Sequence, residues 1–112
     1  MPLNNVLYVD DEAQWRRRVQ THFKKKLARV VDVAGDYISG VGKVKKKFYD
    51  LIVLDGLGGD CFKLIEDAKE VPHGPIAIFS AGMNVASRAR REGIPFYTKP
   101  SDLDKIVRTY KK

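Results

Sequence analysis

Asp50-Leu51-Ile52-Val53-Leu54, closed by Asp55, is the stretch whose reading decides the fold. Its continuous apolar run leaves no polar face, so a strand here is covered on both sides, as in the parallel sheets of α/β proteins. Gly56-Leu57-Gly58-Gly59-Asp60 follows as a glycine-rich loop. Upstream, Val6-Leu7-Tyr8-Val9 is a short apolar strand that stops at Asp10-Asp11-Glu12, and Arg29 to Ala34 forms a second strand before a Gly35-Asp36 turn and cap. Downstream, Ile76 to Phe79 runs into Ser80-Ala81-Gly82, and Phe96-Tyr97-Thr98, introduced by Pro95, runs into Lys99-Pro100.

Helical periodicity fills the intervals. Trp15, Val19, Phe23 and Leu27 recur at four-residue steps. Ile38, Val41, Val44 and Phe48 mark a second helix, weakened by Gly40 and Gly42. Phe62, Ile65, Ala68 and Val71 line a short third helix that Pro72 and Pro75 stop. Val85 and Ala89 lie on a brief fourth helix ending by Gly93; Leu103, Ile106, Val107 and Tyr110 face inward on a fifth, capped by Ser101 or Asp102. Five strands alternating with five helices predict an α/β fold: a doubly wound, flavodoxin-like five-stranded parallel sheet of order 2-1-3-4-5 with helices on both faces. The 112 residues suffice for one domain, 1–112, and not for two.

The topology gives the polar residues meaning. In such a sheet the ligand crevice lies beyond the carboxyl ends of the strands, where the strand order reverses. Asp10, Asp11 and Glu12 follow strand 1, Asp55 follows strand 3, Ser80 strand 4 and Lys99 strand 5. Carboxylates gathered this closely repel unless a cation sits among them. An all-oxygen set without His or Cys suits a hard cation, Mg²⁺ first. An aspartate beside such an ion is a nucleophile for phosphorus, and Lys99 and Ser80 supply further charge neutralisation and positioning. The expected geometry has the carboxylates of 10, 11 and 55 converging on a divalent ion, with the amine of Lys99 facing them across a phosphate-sized gap. Each element alone has a bland reading, as a turn, a loop or a cap. Their joint order on this fold carries the site.

The combined set, Leu7-Tyr8-Val9-Asp10-Asp11-Glu12, Leu51-Ile52-Val53-Leu54-Asp55, Phe79-Ser80-Ala81 and Phe96-Tyr97-Thr98-Lys99-Pro100, resembles the receiver domain of two-component response regulators, of the chemotaxis type, over essentially the whole chain. The resemblance implies that Asp55 is the phosphoacceptor, that Asp11 binds Mg²⁺ directly and Asp10 through water, and that Leu57 donates its backbone carbonyl to the metal. It implies that Ser80 and Lys99 contact the phosphoryl group, that Ala81 is the small residue beside Ser80, that Phe96 is the aromatic switch and that Lys99-Pro100 is cis. The activity so implied is regulatory rather than enzymatic: the domain catalyses at most its own phosphorylation and dephosphorylation. The donor is a histidine kinase, a histidine phosphotransfer protein or acetyl phosphate, and a face built from helix 4, strand 5 and helix 5 meets a downstream protein. Relatives usually carry Met or Leu and then Pro after the acceptor, where this chain has a shorter, glycine-rich loop. That loop lacks the remaining pattern of a nucleotide-binding motif.

Two rival readings stand beside this one. A haloacid-dehalogenase-like phosphohydrolase places its nucleophile on the first strand and its acidic pair last, the reverse of the order here. A receiver-like module that no longer switches would bind nucleic acid or a partner through its basic surface. The net charge of +7 and pI near 9.6 invite that reading, with cationic runs at Arg16-Arg17-Arg18, Lys24-Lys25-Lys26 and Lys45-Lys46-Lys47. The runs fall on several segments, however, and only five side-chain amides occur, so solvated faces of a heat-adapted protein are preferred over a nucleic-acid surface. No signal peptide or spanning segment is visible, and a cytoplasmic setting without membrane contact is expected. Lys112 falls in or near the last helix, which reads either as a stand-alone receiver or as one parted from an output domain. Cys61, alone, forms no disulfide within the chain and is expected to begin helix 3; Trp15 is expected to pack on the core, and His22 and His73 to be surface groups without acidic partners nearby in sequence.

Overall fold

The computed structural model describes residues 1–112. The chain runs β1 (Leu3–Val9), α1 (Ala13–Lys26), β2 (Ala28–Ala34), α2 (Tyr37–Lys46), β3 (Leu51–Leu54), α3 (Asp60–Ala68), β4 (Ile76–Ser80), α4 (Met83–Glu92), β5 (Phe96–Thr98) and α5 (Leu103–Tyr110), with a 3₁₀ turn at Leu57–Gly59. All pairings are parallel, in the order β2-β1-β3-β4-β5. The expected topology is the one observed. No helix is long and apolar enough to cross a membrane.

Strand alternation splits the interior into two layers. Val6 and Tyr8 of β1, Leu51 and Val53 of β3 and Ala77 and Phe79 of β4 face α1 and α5, where Val19, Phe23 and Ile106 cover them. Leu7 and Val9, Ile52 and Leu54, and Ile78 face the other way, onto Val44 of α2, Leu64 of α3 and Ala89 of α4. All four residues of β3 are fully buried, which is why its sequence shows no alternation.

Local departures from the sequence reading have identifiable causes. β1 begins at Leu3, not Val6, because the Asp50 carboxylate accepts the backbone N–H groups of Asn4 and Asn5 at 2.8 and 3.0 Å and holds that end in the sheet. Ile38 on α2 and Phe48, which lies beyond the helix end at Lys46, are exposed and do not join the inner face. Gly40 takes that place: a Cβ there would lie 2.8 Å from Leu64 Cδ1, so the helix approaches α3 and β1 through a missing side chain. Asp36 caps α2 as expected, accepting the Ser39 N–H at 2.7 Å. Asp102 precedes α5, but its carboxylate reaches back to the Thr98 N–H at 2.9 Å rather than capping forward. The inner face of α3 also includes Cys61 and Leu64. His22, which has no acidic partner nearby in sequence, meets the sequence-distant Asp104 of α5 at 2.7 Å across the helix pair.

Candidate functional site

The site is assembled by strand ends. Asp55 leaves β3 with its N–H bonded to Val9 O at 2.8 Å, which sets it beside the end of β1. Asp10 leaves β1 bonded to Ala34 O at 3.0 Å. One carboxylate oxygen from each of Asp10, Asp11 and Asp55 lies within 4.8 Å of the others. Asp10 is fully buried, Asp55 half-buried and Asp11 exposed, so the cluster opens to solvent on the Asp11 side.

Asp10 is held from several directions. Its Oδ1 accepts the Glu12 N–H at 2.9 Å, and its Oδ2 accepts from the Tyr8 hydroxyl and from Lys99 Nζ, the latter at 2.7 Å. Asp55 Oδ1 takes a second bond from Lys99 Nζ at 2.7 Å, while its Oδ2 accepts the Leu57 N–H at 3.0 Å. Lys99 therefore does not face the acids across a gap, as the sequence reading had it. The ammonium bridges Asp10 and Asp55 directly, because two carboxylates this near each other draw the closest cation into contact. Its side chain is 9% exposed and lies 4.8 Å from the Trp15 ring and 5.8 Å from the Phe79 ring. Burial favours the neutral amine, but the bonds to Asp10 and Asp55 outweigh it and hold Lys99 above the usual lysine range.

Ser80 is the last residue of β4 rather than the first beyond it. Its hydroxyl accepts the Gly82 N–H at 3.1 Å, which leaves the hydroxyl proton available. Gly56 packs closely beside it: a Cβ there would lie 3.0 Å from Val85 Cγ2 and 3.2 Å from Ser80 Oγ, so those side chains would have to give way. Leu57 has φ of 51°, unfavourable for a branched side chain, and its carbonyl accepts the Asp60 N–H. Phe96 stands apart from the acids, half-buried among the second-layer residues. Lys99-Pro100 is cis, as the resemblance implied.

The structure thus joins Asp10, Asp11, Asp55 and Lys99, puts Ser80 on the neighbouring strand end, and leaves Phe96 and Pro100 outside the cluster. Sequence reasoning passed over Tyr8, whose hydroxyl donates to Asp10 from inside the core. The available signal was a phenol two positions before a strand-end acid, hence on the same side of the strand. Burial first, and then Asp10, push its ionisation far above the ordinary tyrosine range. Trp15 does more than pack on the core: its ring meets Phe79 edge-on at 5.7 Å and lies 4.8 Å from Lys99 Nζ. Cys61 is the second residue of α3 and is buried, with its thiol pushed up to about 12 by burial and by the charge of Asp55, which makes it a packing group.

No protein-family model matches the sequence, and no curated protein does. Solved structures do match. CheY6 of R. sphaeroides, in a crystal structure with the P1 domain of CheA3, is 26% identical over 98% of both chains, with a TM-score of 0.78. The Francisella response regulator 1452 receiver domain is 22% identical over 95% of this chain and 92% of its own, TM-score 0.75. A response regulator from Burkholderia pseudomallei, solved with a phosphorylated aspartic acid, calcium ion and citrate, is 19% identical over 97% of this chain and 67% of its own, TM-score 0.79. With the strand order, the two helical layers and the acids at the sheet's carboxyl edge, these likenesses agree: the chain has the fold of the CheY-like receiver domains of response regulators.

Proposed function

We propose that this chain is a phosphoacceptor of two-component signalling, taking a phosphoryl group on Asp55 and using it to change a protein-binding face. The observation that carries the proposal is the convergence of Asp10, Asp11 and Asp55 with Lys99 bridging two of them. The donor set is all oxygen and opens on one side, which fits a hard divalent ion; Asp10, Asp11, Asp55 and the Leu57 carbonyl would hold it. Mg²⁺ bound there supplies neutralisation of the charge gathered on the carboxylates and the incoming phosphate.

The residues divide the work as follows. An Asp55 carboxylate oxygen attacks phosphorus; the new O–P bond forms as the bond to the donor's imidazole nitrogen, or to the acetate oxygen of acetyl phosphate, breaks and its electron pair leaves with the donor. Lys99 exchanges a carboxylate contact for a phosphoryl oxygen, and Ser80 turns its free hydroxyl proton to another. Phe96 follows Ser80 inward, and the α4–β5–α5 face alters its preference for a downstream protein. CheY6, solved with a CheA3 P1 domain, supports a histidine kinase or histidine phosphotransfer protein as donor. The protein catalyses no more than its own phosphorylation and dephosphorylation, and a cytoplasmic setting goes with that role.

Incubation with acetyl phosphate or beryllofluoride, with and without Mg²⁺, tests this by intact mass and NMR. A mass gain of one phosphoryl group that needs Mg²⁺ and vanishes in Asp55→Asn is expected. Absence of any response to every donor overturns the proposal.

A further inference from the structure

The α1–α5 face carries a continuous strip of unpaired positive charge. Three grooves follow one another along it, of about 660, 530 and 420 Å³. The first, under Pro100 and Ser101, is lined by Arg17, Arg18 and Lys25; the second by Lys25, Lys26, Arg108 and Lys111. The third adds Lys24, Arg29 and Lys112. Lys25 borders all three. Asp104 is the one acidic residue lining them, and its carboxylate is turned to His22 at 2.7 Å.

None of these cations has a carboxylate within 4 Å; unpaired cations such as Lys45, Lys46 and Arg91 occur elsewhere too, but here nine of them line three adjoining grooves that share Lys25. A merely solvated surface gains nothing by collecting like charges side by side, since they repel at short range. From Arg17 to Lys26 the cations of α1 span about 14 Å at the helical rise of about 1.5 Å per residue. A duplex presents roughly eight backbone charges over that length, at about one per 1.7 Å. The three grooves have one, one and three apolar lining residues, so over most of its length the face offers neither the apolar centre of a protein interface nor the apolar side chains that enter a bilayer.

We infer that the α1–α5 face docks the phosphate backbone of a nucleic-acid duplex, by charge and without reading sequence. This extends beyond phosphoacceptance and does not depend on it. The side chains are exposed, so their replacement leaves the core intact. Fluorescence anisotropy with a labelled mixed-sequence DNA duplex of about 20 base pairs tests the inference. Five phosphate contacts predict an affinity that falls about 500-fold between 50 and 200 mM salt, at about −0.9 in log–log slope per contact. Lys25→Glu/Lys26→Glu/Arg108→Glu is expected to weaken binding at least about a hundredfold, and the milder Lys25→Gln/Lys26→Gln/Arg108→Gln by an intermediate factor. Lys45→Glu/Lys46→Glu/Arg91→Glu reaches the same net charge on other exposed surface and is expected to change binding less than about threefold. Circular dichroism checks that each variant is folded. No binding at the lower salt, equal losses in the two Glu variants, or tighter binding to phosphatidylserine vesicles than to the duplex overturns the inference.

Discussion

The carboxyl edge of the sheet and the α1–α5 face handle charge in opposite ways. At the sheet edge charge is withdrawn from water and compensated: Asp10 has no exposure, Lys99 has 9%, and one ammonium serves two carboxylates. On the helical face the cations remain in water and meet no carboxylate. Buried charge must be satisfied within the molecule, so each member of the network holds the others in place and the loss of one is felt by all. Exposed charge is tolerated singly and acts by accumulation. The first arrangement suits a switch whose contacts are exchanged; the second suits attraction of a polyanion.

Removing the cation from each region separates them most sharply. Lys99→Met leaves Asp10 buried with only the Tyr8 hydroxyl and the Glu12 N–H, and next to another anion; a loss of about 3 kcal/mol is expected in urea denaturation, the low end for breaking a buried pair because Asp55 keeps some solvent. Lys25→Met, on the exposed face, is expected to stay within about 0.5 kcal/mol. Added Mg²⁺ restores part of the stability of the Lys99 variant. Equal effects of the two substitutions would dissolve the contrast.

Tyr8→Phe probes the same network from below. It deletes one hydrogen bond to a buried carboxylate and is expected to cost about 2 kcal/mol. The pH dependence has a definite sign. Because folding raises the proton affinity of Tyr8, its contribution is complete below the unfolded value of 10.0 and is lost as pH rises above it toward the folded value. Lys99, also raised, acts in the same sense from 10.5 upward. Melting temperature against pH is therefore expected to fall above pH 10 in the wild type and less steeply in Tyr8→Phe. Identical alkaline limbs would remove Tyr8 from the network.

The two regions were not equally legible in the sequence. The strands were readable because runs such as Leu51 to Leu54 have only one way to bury every side chain, and the crevice followed from the strand order. Asp10, Asp55, Ser80 and Lys99 could be brought together on paper because strand ends are placed by topology alone. The direct Lys99 contacts were not readable, since a side chain's reach depends on what lines it, here Trp15 and Phe79. The inward turn of Gly40 was hidden because periodicity counts apolar side chains and glycine has none. The basic face was hidden for a larger-scale reason. Lys26 and Arg108 border one groove only because α1 and α5 pack side by side, and a sequence lists their charges far apart.

Asp11→Asn sharpens the contrast within the acidic edge itself. Asp11 is the exposed member of the cluster and has no cation beside it. Its removal relieves repulsion and is expected to leave the ion-free stability unchanged or about 0.5 kcal/mol higher. Mg²⁺ affinity, read by titration calorimetry, is expected to fall at least about tenfold with the loss of a carboxylate ligand. A fall in stability with no change in Mg²⁺ affinity would make Asp11 a structural residue.

Salt gives the smallest effect and the one with the most informative sign. Raising NaCl from 50 to 500 mM shortens the screening length to a few ångströms, below the spacing of neighbouring surface charges. On the α1–α5 face this relieves repulsion; at the sheet edge the Lys99 pairs, already out of water, are screened far less. The wild type is expected to gain about 0.5 kcal/mol, or roughly 2–4 °C in melting temperature for a domain of this size. Lys25→Gln/Lys26→Gln/Arg108→Gln is expected to lose most of that gain, because the charges being screened are no longer there. If the wild type instead loses stability with salt, attraction outweighs repulsion over the surface as a whole, and the cations of α1 and α5 are compensated at longer range than the 4 Å of a direct pair.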